Sequence, residues 1–262
     1  MTSNADYHAD SAVSASHLHA VASSPYHYWS RFINPDRPPS VQTAAMKLGS
    51  LTHCAVLEPD QLSKRYAICL PRNTKAGKEM AAEMEASGIE AVTAPEMEQA
   101  LAMAASVRSH QAAAALLRDG KAEQSFWWDD TATCLRCKCR PDWYYGVTIV
   151  DLKTTTDASP RGFAKSVAQW RYHVQQNHYL AGTFAERFVF IAVEKSYPYA
   201  VGVYELDEAA ALYGETERRN NLQTIADCRA IAEWPGYGNT IQPLSLPSWA
   251  FSATPTMTSD DF

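Results

Sequence analysis

Two carboxylates and one lysine stand close together in the stretch CRPDWYYGVTIVDLKTT, residues 139–155. Asp142 precedes a Tyr-Tyr-Gly turn, and Asp151 and Lys153 follow it in the β-branched segment 147–154, which predicts a strand. Side chains alternate faces along a strand, so Asp151 and Lys153 are expected on one face. A buried carboxylate and ammonium must pair or bind an ion, because an isolated buried charge is too costly. With Asp142 folded back beside Asp151, the pattern predicts a site that holds a hard divalent cation and positions a water.

A structural explanation of the same residues stays open at this point. The pattern Asp-x-Lys is short and recurs by chance, and Asp151 with Lys153 can also form a purely structural ion pair. The rest of the chain must therefore supply further groups before a catalytic site is inferred.

A histidine is the first further candidate. Gly49 and His53 stand four residues apart in a predicted helix over residues 43–57, so they lie about one turn apart on the same side. Gly49 allows close helix packing while His53 projects toward the site. A lone helix histidine is usually a satisfied polar group, but beside two acidic residues it becomes a candidate metal ligand.

Three more side chains could support the chemistry. Glu123 lies near the start of a predicted strand over 122–128, where it could orient a metal-bound water or a lysine, or simply face solvent at a strand edge. Gln175 and Tyr179 stand at i and i+4 in a predicted helical stretch over 170–184 and so share a face. Arg171 and Gln175 share a face for the same reason.

The elements that must position these groups alternate between helices and strands, which indicates an α/β fold. Seryl and threonyl N-caps mark several helix starts, among them Ser14 or Ser16, the capping box Thr93 to Glu96, and Ser159 before a proline. Helices are expected over residues 12–32, 43–57, 93–118, from 159, over 170–184 and over 207–232. Strands are expected over 122–128, 133–140, 147–154, 187–193 and 200–206.

Length and composition bound the remaining possibilities. The chain has 262 residues and 46% hydrophobic residues, which suits a single large domain over residues 1–250. We expect a disordered tail over 251–262, and we expect a cytoplasmic protein because neither a transmembrane run nor a signal-like start is present. The six cysteines are expected to be reduced thiols, since Cys134, Cys137 and Cys139 lack a fourth ligand at zinc spacing.

The net charge of −6 argues against a surface that is basic all round, but a nucleic-acid enzyme needs only a local positive groove. A polar segment over 70–79 is predicted as a loop that could contact phosphates, and a predicted strand over 133–140 places Arg136, Lys138 and Arg140 on one face. The candidate DNA-binding or 5′-phosphate-binding residues are Ser14, Ser16, Arg31, Arg72, Lys75, Lys78, Arg140 and Arg171.

The ordered motifs together resemble a known superfamily. Pro141-Asp142 followed by Asp151-x-Lys153 looks like the PD-(D/E)xK nuclease signature. The complete order, which adds Gly49-x-x-x-His53, Glu123 and Gln175-x-x-x-Tyr179, is similar to the RecB-like branch. The surrounding sequence resembles the RecE (exonuclease VIII) nuclease domain family over residues 6–250, in segments such as LGSLTHCAVLEP, CRPD, VDLKTT and YHVQQNHY.

This resemblance implies a central mixed β-sheet flanked by helices and a magnesium-dependent exonuclease, with manganese able to substitute. Such an enzyme degrades one strand of linear duplex DNA from its 5′ end without ATP and leaves 3′ overhangs for a single-strand annealing protein. Relatives, including the more distant lambda exonuclease, are ring-shaped oligomers, so we expect a homo-oligomeric trimer or tetramer and no membrane partner.

The resemblance also implies roles for individual residues. Asp142, Asp151 and His53 would be metal ligands, Lys153 would activate or orient the attacking water, and Gln175 would support the lysine or the water. Tyr179 would pack behind Gln175.

One position departs from lambda exonuclease, in which an arginine shortly before the first-helix serine grips the 5′ phosphate. Ala9 stands there and is not basic. Ser16, Arg31, Arg171 or the loop around Lys75 could take over that contact.

Two other functions remain open from the sequence. A nuclease-like fold can serve as a non-catalytic DNA-binding or assembly subunit, since fold alone does not secure activity. A nuclease of different specificity, either an endonuclease or a single-strand exonuclease, is the second alternative.

Overall fold

The computed structural model describes residues 4–39, 41–71 and 73–247. Arg72, one of the candidate DNA-binding residues, and the expected tail over 251–262 lie outside the described residues. The helices are α1 Asn4–Ala9, α2 Ala15–Ser23, α3 Pro25–Tyr28 with a π-helical turn Trp29–Ile33, α4 Ala44–Leu57, α5 Pro59–Arg65, α6 Lys75–Ala86, α7 Ala94–Ser109, α8 Gln111–Leu116, α9 Pro160–Trp170, α10 Tyr172–Gly182 and α11 Glu208–Ile231. The strands are β1 Tyr66–Ile68, β2 Glu90–Val92, β3 Lys121–Ala122, β4 Phe126–Asp129, β5 Arg136–Cys139, β6 Trp143–Tyr145, β7 Thr148–Thr155, β8 Arg187–Glu194 and β9 Val201–Tyr204.

Five strands form the central sheet in the order β3-β6-β7-β8-β9. The middle strand β7 runs antiparallel to β6 and parallel to β8. A parallel neighbour requires a crossover connection, which α9 and α10 provide. Two smaller sheets pair β1 with β2 and β4 with β5. The mixed central sheet with flanking helices confirms the predicted fold class.

The two faces of β7 pack against different helices. Val150 and Leu152 are buried in a cluster with residues of α4 and α7. Ile149 is buried on the opposite face in a cluster with residues of α9 and β8. Asp151 and Lys153 contact α10 on this same face, which confirms the predicted alternation.

A second layer joins the first helices to the long helix α11. Val13 and Leu18 are buried in one cluster with Leu222 and Ile225. The β4–β5 hairpin lies against this layer, since Val13 forms a parallel bridge with Cys137 of β5. This layer forms the side of the molecule that faces α10.

Several predicted helix starts are confirmed. Ser14 is the N-cap of α2. Thr93 and Glu96 form the predicted capping box of α7, with the Thr93 N–H donating to the Glu96 carboxylate over 2.7 Å. Ser159 caps α9 ahead of Pro160.

The strand predicted over 122–128 is two strands instead. β3 ends at Ala122, and β4 begins at Phe126. Glu123 between them has a φ of +55°, a left-handed conformation that turns the chain out of the central sheet. The predicted hairpin with the next strand is confirmed for β4 and β5 only.

Two further segments differ from the predicted ones. The polar segment 70–79 is not a loop throughout, because Thr74 accepts a hydrogen bond from the first turn and α6 begins at Lys75. The helix predicted over 93–118 is interrupted at His110, whose side chain caps α8. Across the residues that the structure describes, every helix is too short or too polar to cross a membrane.

Candidate metal centre and its two clefts

Three side chains from separate elements converge at the edge of the central sheet. His53 comes from α4, Glu123 follows β3, and Asp142 precedes β6. One ligand atom of each lies within 4.8 Å of the others. The His53 Nδ1 and Asp142 Oδ2 atoms are 3.5 Å apart, and Asp142 also accepts a hydrogen bond from the Leu152 N–H over 2.8 Å. The backbone of β7 therefore holds Asp142 in place beside the histidine.

The position of Glu123 depends on its unusual backbone. Its φ of +55° is rarely adopted by a residue with a side chain, and its N–H donates to the carbonyl of Asp142 over 3.1 Å. The next pair in the ladder is Ala122 with Trp143, so Glu123 arrives directly beside Asp142. Burial, together with the charge of Asp142, raises the pKa of Glu123 to about 7.

His53 and Asp142 each stabilise the charged form of the other. Burial alone would lower the pKa of His53 and raise that of Asp142. Their mutual attraction outweighs burial in both cases, so the pKa of His53 is raised and that of Asp142 is lowered. Asp142 is thus ionised at neutral pH and available as a ligand.

A lysine–carboxylate pair stands next to this group on the same sheet. The Lys153 Nζ atom is 2.5 Å from Asp151 Oδ2, and Asp151 is 1% exposed. Gln175 of α10 donates from Nε2 to Asp151 Oδ1 over 2.8 Å. The ring of Tyr172 lies 4.5 Å from the Lys153 ammonium. Burial raises the pKa of Asp151 to about 6 despite the attraction of Lys153.

The residues present fit a divalent cation. Two carboxylate oxygens and an imidazole nitrogen are ligand atoms that divalent cations use in proteins. A cation between Glu123 and Asp142 would also relieve the repulsion that raises the pKa of Glu123. Of the three ligands expected from the resemblance, His53 and Asp142 belong to this group. Asp151 lies outside it and contacts Lys153 and Gln175, whereas Glu123, expected to orient a water or a lysine, is the third member.

A cleft of about 780 Å³ opens on the Gln175 side of the site, and we call it the Arg171 cleft. Its walls come from the first three helices, the π-helical turn and the junction of α9 with α10. The predicted residues that line it are Ser14, Ser16, Arg31, Arg171, Gln175 and Tyr179. The structure thus brings four of the candidate DNA-binding residues together with the supporting pair.

The side chains of Ser14 and Arg171 are held in place in the Arg171 cleft by neighbouring residues. The Ser14 hydroxyl is 2.7 Å from His17 Nδ1 and 2.9 Å from the Ser16 hydroxyl. Arg171 has a φ of +57° at the junction between helices, and its guanidinium pairs with Glu217 of α11 over 2.9 Å.

A second cleft, of about 1140 Å³, opens on the other side of the site and is called the Glu123 cleft. His53 and Glu123 line it together with Arg65, Lys121 and Arg140. The Arg140 Nε atom donates to the Ser125 hydroxyl over 2.8 Å. Members of the candidate metal group line the Glu123 cleft, whereas the Arg171 cleft reaches Gln175, which contacts Asp151. Both clefts carry basic side chains.

Other predicted residues lie elsewhere or have other surroundings. Lys75 and Lys78 belong to the first turn of α6 and line neither cleft. A methyl group on Gly49 would lie 3.9 Å from the Thr154 hydroxyl, an ordinary contact, so helix packing does not require glycine there. Tyr179 packs against Phe188, with 6.0 Å between the ring centroids.

Three residues that line the Arg171 cleft were not expected as site residues from the sequence. Trp170 and Tyr172 flank Arg171 and line its cleft. Lys138, predicted to share a strand face with Arg136 and Arg140, is only 3% exposed. Its ammonium donates to the carbonyls of residues 7 and 10, over 2.5 and 2.7 Å, and so fixes one wall of the Arg171 cleft.

Comparisons with known proteins agree with this architecture. The model of the family described as "PDDEXK-like domain of unknown function" (DUF3799) matches residues 14–246. A crystal structure of a "putative exonuclease" from Eubacterium rectale is similar with a TM-score of 0.66 and 14% sequence identity, covering 97% of this chain and 98% of that one. At that identity the similarity concerns the fold. No curated protein matches the chain. The family match spans most of the chain, and the chain therefore belongs to the DUF3799 family of PDDEXK-like domains, within the PD-(D/E)xK nuclease superfamily.

Proposed function

We propose that the protein is a divalent-metal-dependent exodeoxyribonuclease that degrades one strand of linear duplex DNA from its 5′ end. The observation that carries this proposal is the convergence of His53, Glu123 and Asp142 within 4.8 Å of one another, beside the Lys153–Asp151 pair. A structural ion pair alone would not need the three-residue group or the basic side chains that line the two clefts.

Phosphodiester hydrolysis builds negative charge on the phosphoryl oxygens in the transition state. A divalent cation, when bound by His53, Glu123 and Asp142, supplies charge neutralisation at these oxygens and favours ionisation of water. Magnesium is the proposed physiological ion, with manganese as a substitute. Because its pKa is about 7, Glu123 is partly protonated at neutral pH, and it would release this proton when the cation binds.

Lys153 adds a positive group directed at the same phosphate. Its pKa is raised because Asp151 and Asp142 outweigh the effect of burial, so the side chain stays protonated at neutral pH. In this state Lys153 donates a hydrogen bond to the phosphate or to the attacking water rather than accepting a proton from it. Asp151 orients the ammonium, and Gln175 in turn orients Asp151 over 2.8 Å.

The Arg171 cleft supports an end-dependent reaction rather than cleavage within a continuous strand. Hydroxyls of Ser14 and Ser16 and the guanidinium groups of Arg31 and Arg171 line one confined space. Arg171 pairs through Nη1, while its buried Nε and Nη2 atoms have no hydrogen-bond partner among the described residues. A terminal 5′ phosphate in the cleft would meet the positive charges of Arg31 and Arg171. The resemblance to the RecE nuclease family supports the same polarity.

The proposed partners follow from that resemblance. They are duplex DNA ends, further copies of the same chain in a ring of three or four, and a single-strand annealing protein that takes the 3′ overhang. Light scattering coupled to size-exclusion chromatography measures the number of subunits directly, and a monomer that degrades DNA would exclude the ring.

The proposed activity is tested with linear duplex DNA that carries a 5′ phosphate on one strand only. Nucleotide release with Mg²⁺, its loss with EDTA, and its loss in Lys153→Ala would together support the reaction and its polarity. Covalently closed plasmid is the matched substrate, since an end-dependent enzyme leaves it intact. Cleavage of the plasmid would favour an endonuclease, and no release under any divalent metal would favour a non-catalytic DNA-binding subunit.

A further inference from the structure

One aromatic ring in the Arg171 cleft is placed differently from the others. Trp170 is 54% exposed, whereas the remaining Phe and Tyr side chains that line the cleft in the described part of the chain are buried or half-buried. Phe32, for example, is stacked on His17, with 3.9 Å between the ring centroids. The indole of Trp170 therefore offers a free face inside a cleft whose other rings already have partners.

The backbone around Trp170 is fixed from both sides. Trp170 is the last residue of α9, and Arg171 follows in a left-handed conformation held by its pair with Glu217. Tyr172 then begins α10 with its ring 4.5 Å from the Lys153 ammonium. Successive Cα atoms lie about 3.8 Å apart, so Trp170 stands within roughly 8 Å of a residue that contacts the proposed catalytic lysine.

The surroundings of Trp170 are cationic rather than apolar. Arg31, Arg37 and Arg171 line the same cleft. Burial lowers the pKa of His19, and the charges of Arg171 and Arg31 lower it further, which shows a positive local potential. Asp10 is the acidic residue that lines the cleft, and it accepts a hydrogen bond from the Ala12 N–H over 2.7 Å. Arg171 has Glu217 as its counter-charge, but an apolar protein partner would cover Arg31 and Arg37 without supplying one for them.

An exposed indole among arginines matches the way proteins hold single-stranded nucleic acid, in which bases stack on aromatic rings and phosphates meet basic groups. We propose that Trp170 stacks on the base of the 5′-terminal nucleotide, so that the Arg171 cleft receives an unpaired end. This inference rests on the proposed function and specifies the substrate: a duplex whose last base pair has opened. The outer face of a terminal base is free in the paired state as well, so the opening of the pair is tested separately, with a mismatched end.

Binding without cleavage tests the stacking directly. In EDTA, fluorescence anisotropy is measured with a short single-stranded DNA that carries a 5′ phosphate, and with the same strand lacking the 5′-terminal base. Trp170→Ala should weaken binding of the first strand roughly 5- to 150-fold, the range for loss of one base–aromatic stack. Trp170→Phe should recover most of this loss, and neither variant should affect binding of the abasic strand.

Tyr197→Ala is the matched control, because Tyr197 is 87% exposed on the β8–β9 connection and lines neither cleft. Equal weakening for both strands, no weakening, or the same weakening in Tyr197→Ala would overturn the proposal. A change in subunit number in Trp170→Ala would also overturn it, since the indole would then belong to an interface between copies.

The opening of the terminal pair is tested with active enzyme and Mg²⁺. A mismatch at the 5′-terminal pair should speed release of the first nucleotide by the wild type, and this advantage should shrink in Trp170→Ala. A mismatch without effect on the wild type would overturn the unpaired-end proposal. Absence of any nuclease activity would refute the proposed function instead, while the binding experiment in EDTA would still decide whether Trp170 stacks on a base.

Discussion

Replacing Lys153 with methionine removes the ammonium but keeps a side chain of similar length. The ammonium lies 2.5 Å from Asp151 and is 16% exposed, so solvent cannot replace its charge efficiently. We expect the rate of nucleotide release to fall about 10²- to 10³-fold, or roughly 2.7–4 kcal/mol, as for loss of one preorganised donor at a developing negative charge. Binding of DNA in EDTA should remain, because Lys153 lies at the chemical centre and the clefts carry other basic groups.

The pH dependence of the variant provides a second measurement. The pKa of Asp151 is about 6 because burial raises it while Lys153 is the main group that lowers it. Without Lys153 that pKa rises further, so at pH 7 a larger fraction of Asp151 is protonated. Ionisation of Asp151 then costs the variant more stability than the wild type as pH rises from 4 to 7, and urea unfolding at both pH values measures this.

The assay is single-turnover release of a labelled 5′ nucleotide from linear duplex DNA, with enzyme in excess. Lys165→Met is the matched control, since Lys165 is an exposed lysine of α9 that lines neither cleft. Thermal unfolding of both variants checks that Asp151, deprived of its partner, does not unfold the protein. A rate for Lys153→Met within about tenfold of the wild type would refute the catalytic role assigned to this lysine.

Three other substitutions give distinct outcomes. Gln175→Ala removes the 2.8 Å hydrogen bond to Asp151 and should raise the activation free energy of nucleotide release by about 1.5–3 kcal/mol, with little change in KM. A pure KM effect would contradict the orienting role. The pKa of Glu123 is raised from 4.5 to about 7 in the folded protein. The free energy of unfolding therefore decreases as pH rises through that range, because Glu123 must ionise in a buried position. Glu123→Gln should therefore stabilise the protein in EDTA by up to about 3 kcal/mol above pH 7 and not at pH 4, while Mg²⁺ should stabilise only the wild type, as urea unfolding measures. Gly214→Ala would place a methyl group 2.4 Å from the carbonyl oxygen of His173 and should destabilise the α10–α11 contact by roughly 1–3 kcal/mol, and unchanged urea unfolding would contradict this packing.

The central cassette could be predicted from the sequence because its geometry is local. A strand alternates its side chains whatever surrounds it, so Asp151 and Lys153 share a face as the spacing requires. Gln175, expected to support the lysine or the water, donates a hydrogen bond to Asp151 instead. The helix that carries it lies near this strand because a helix in a parallel crossover packs back onto the sheet.

The membership of Glu123 in the metal group could not be predicted in the same way. It depends on the register that pairs Ala122 with Trp143 and on a left-handed residue that breaks one predicted strand into two. Register is set by packing and turn geometry across distant segments, and a single sequence does not display it. The positive φ of a glutamate has no local signal at all, because most left-handed positions are occupied by glycine or asparagine.

The burial of Lys138 shows the same limit. Strand periodicity placed it on a face with Arg136 and Arg140, yet the segment around Tyr7 folds over it and provides two carbonyl acceptors. Only the tertiary position of that segment decides whether this lysine meets DNA or the protein's own backbone. The phosphate-contacting role of Lys75 and Lys78 stays a prediction without support from either cleft.

The walls of the Arg171 cleft are contributed by segments that are far apart along the chain. Tyr28 and Arg229 are hydrogen-bonded across a separation of 201 positions, and both line this cleft. During synthesis the early helices leave the ribosome well before α11, so the cleft cannot assemble until translation has passed α11. A nascent or prematurely terminated chain would thus carry the candidate metal ligands without an assembled Arg171 cleft.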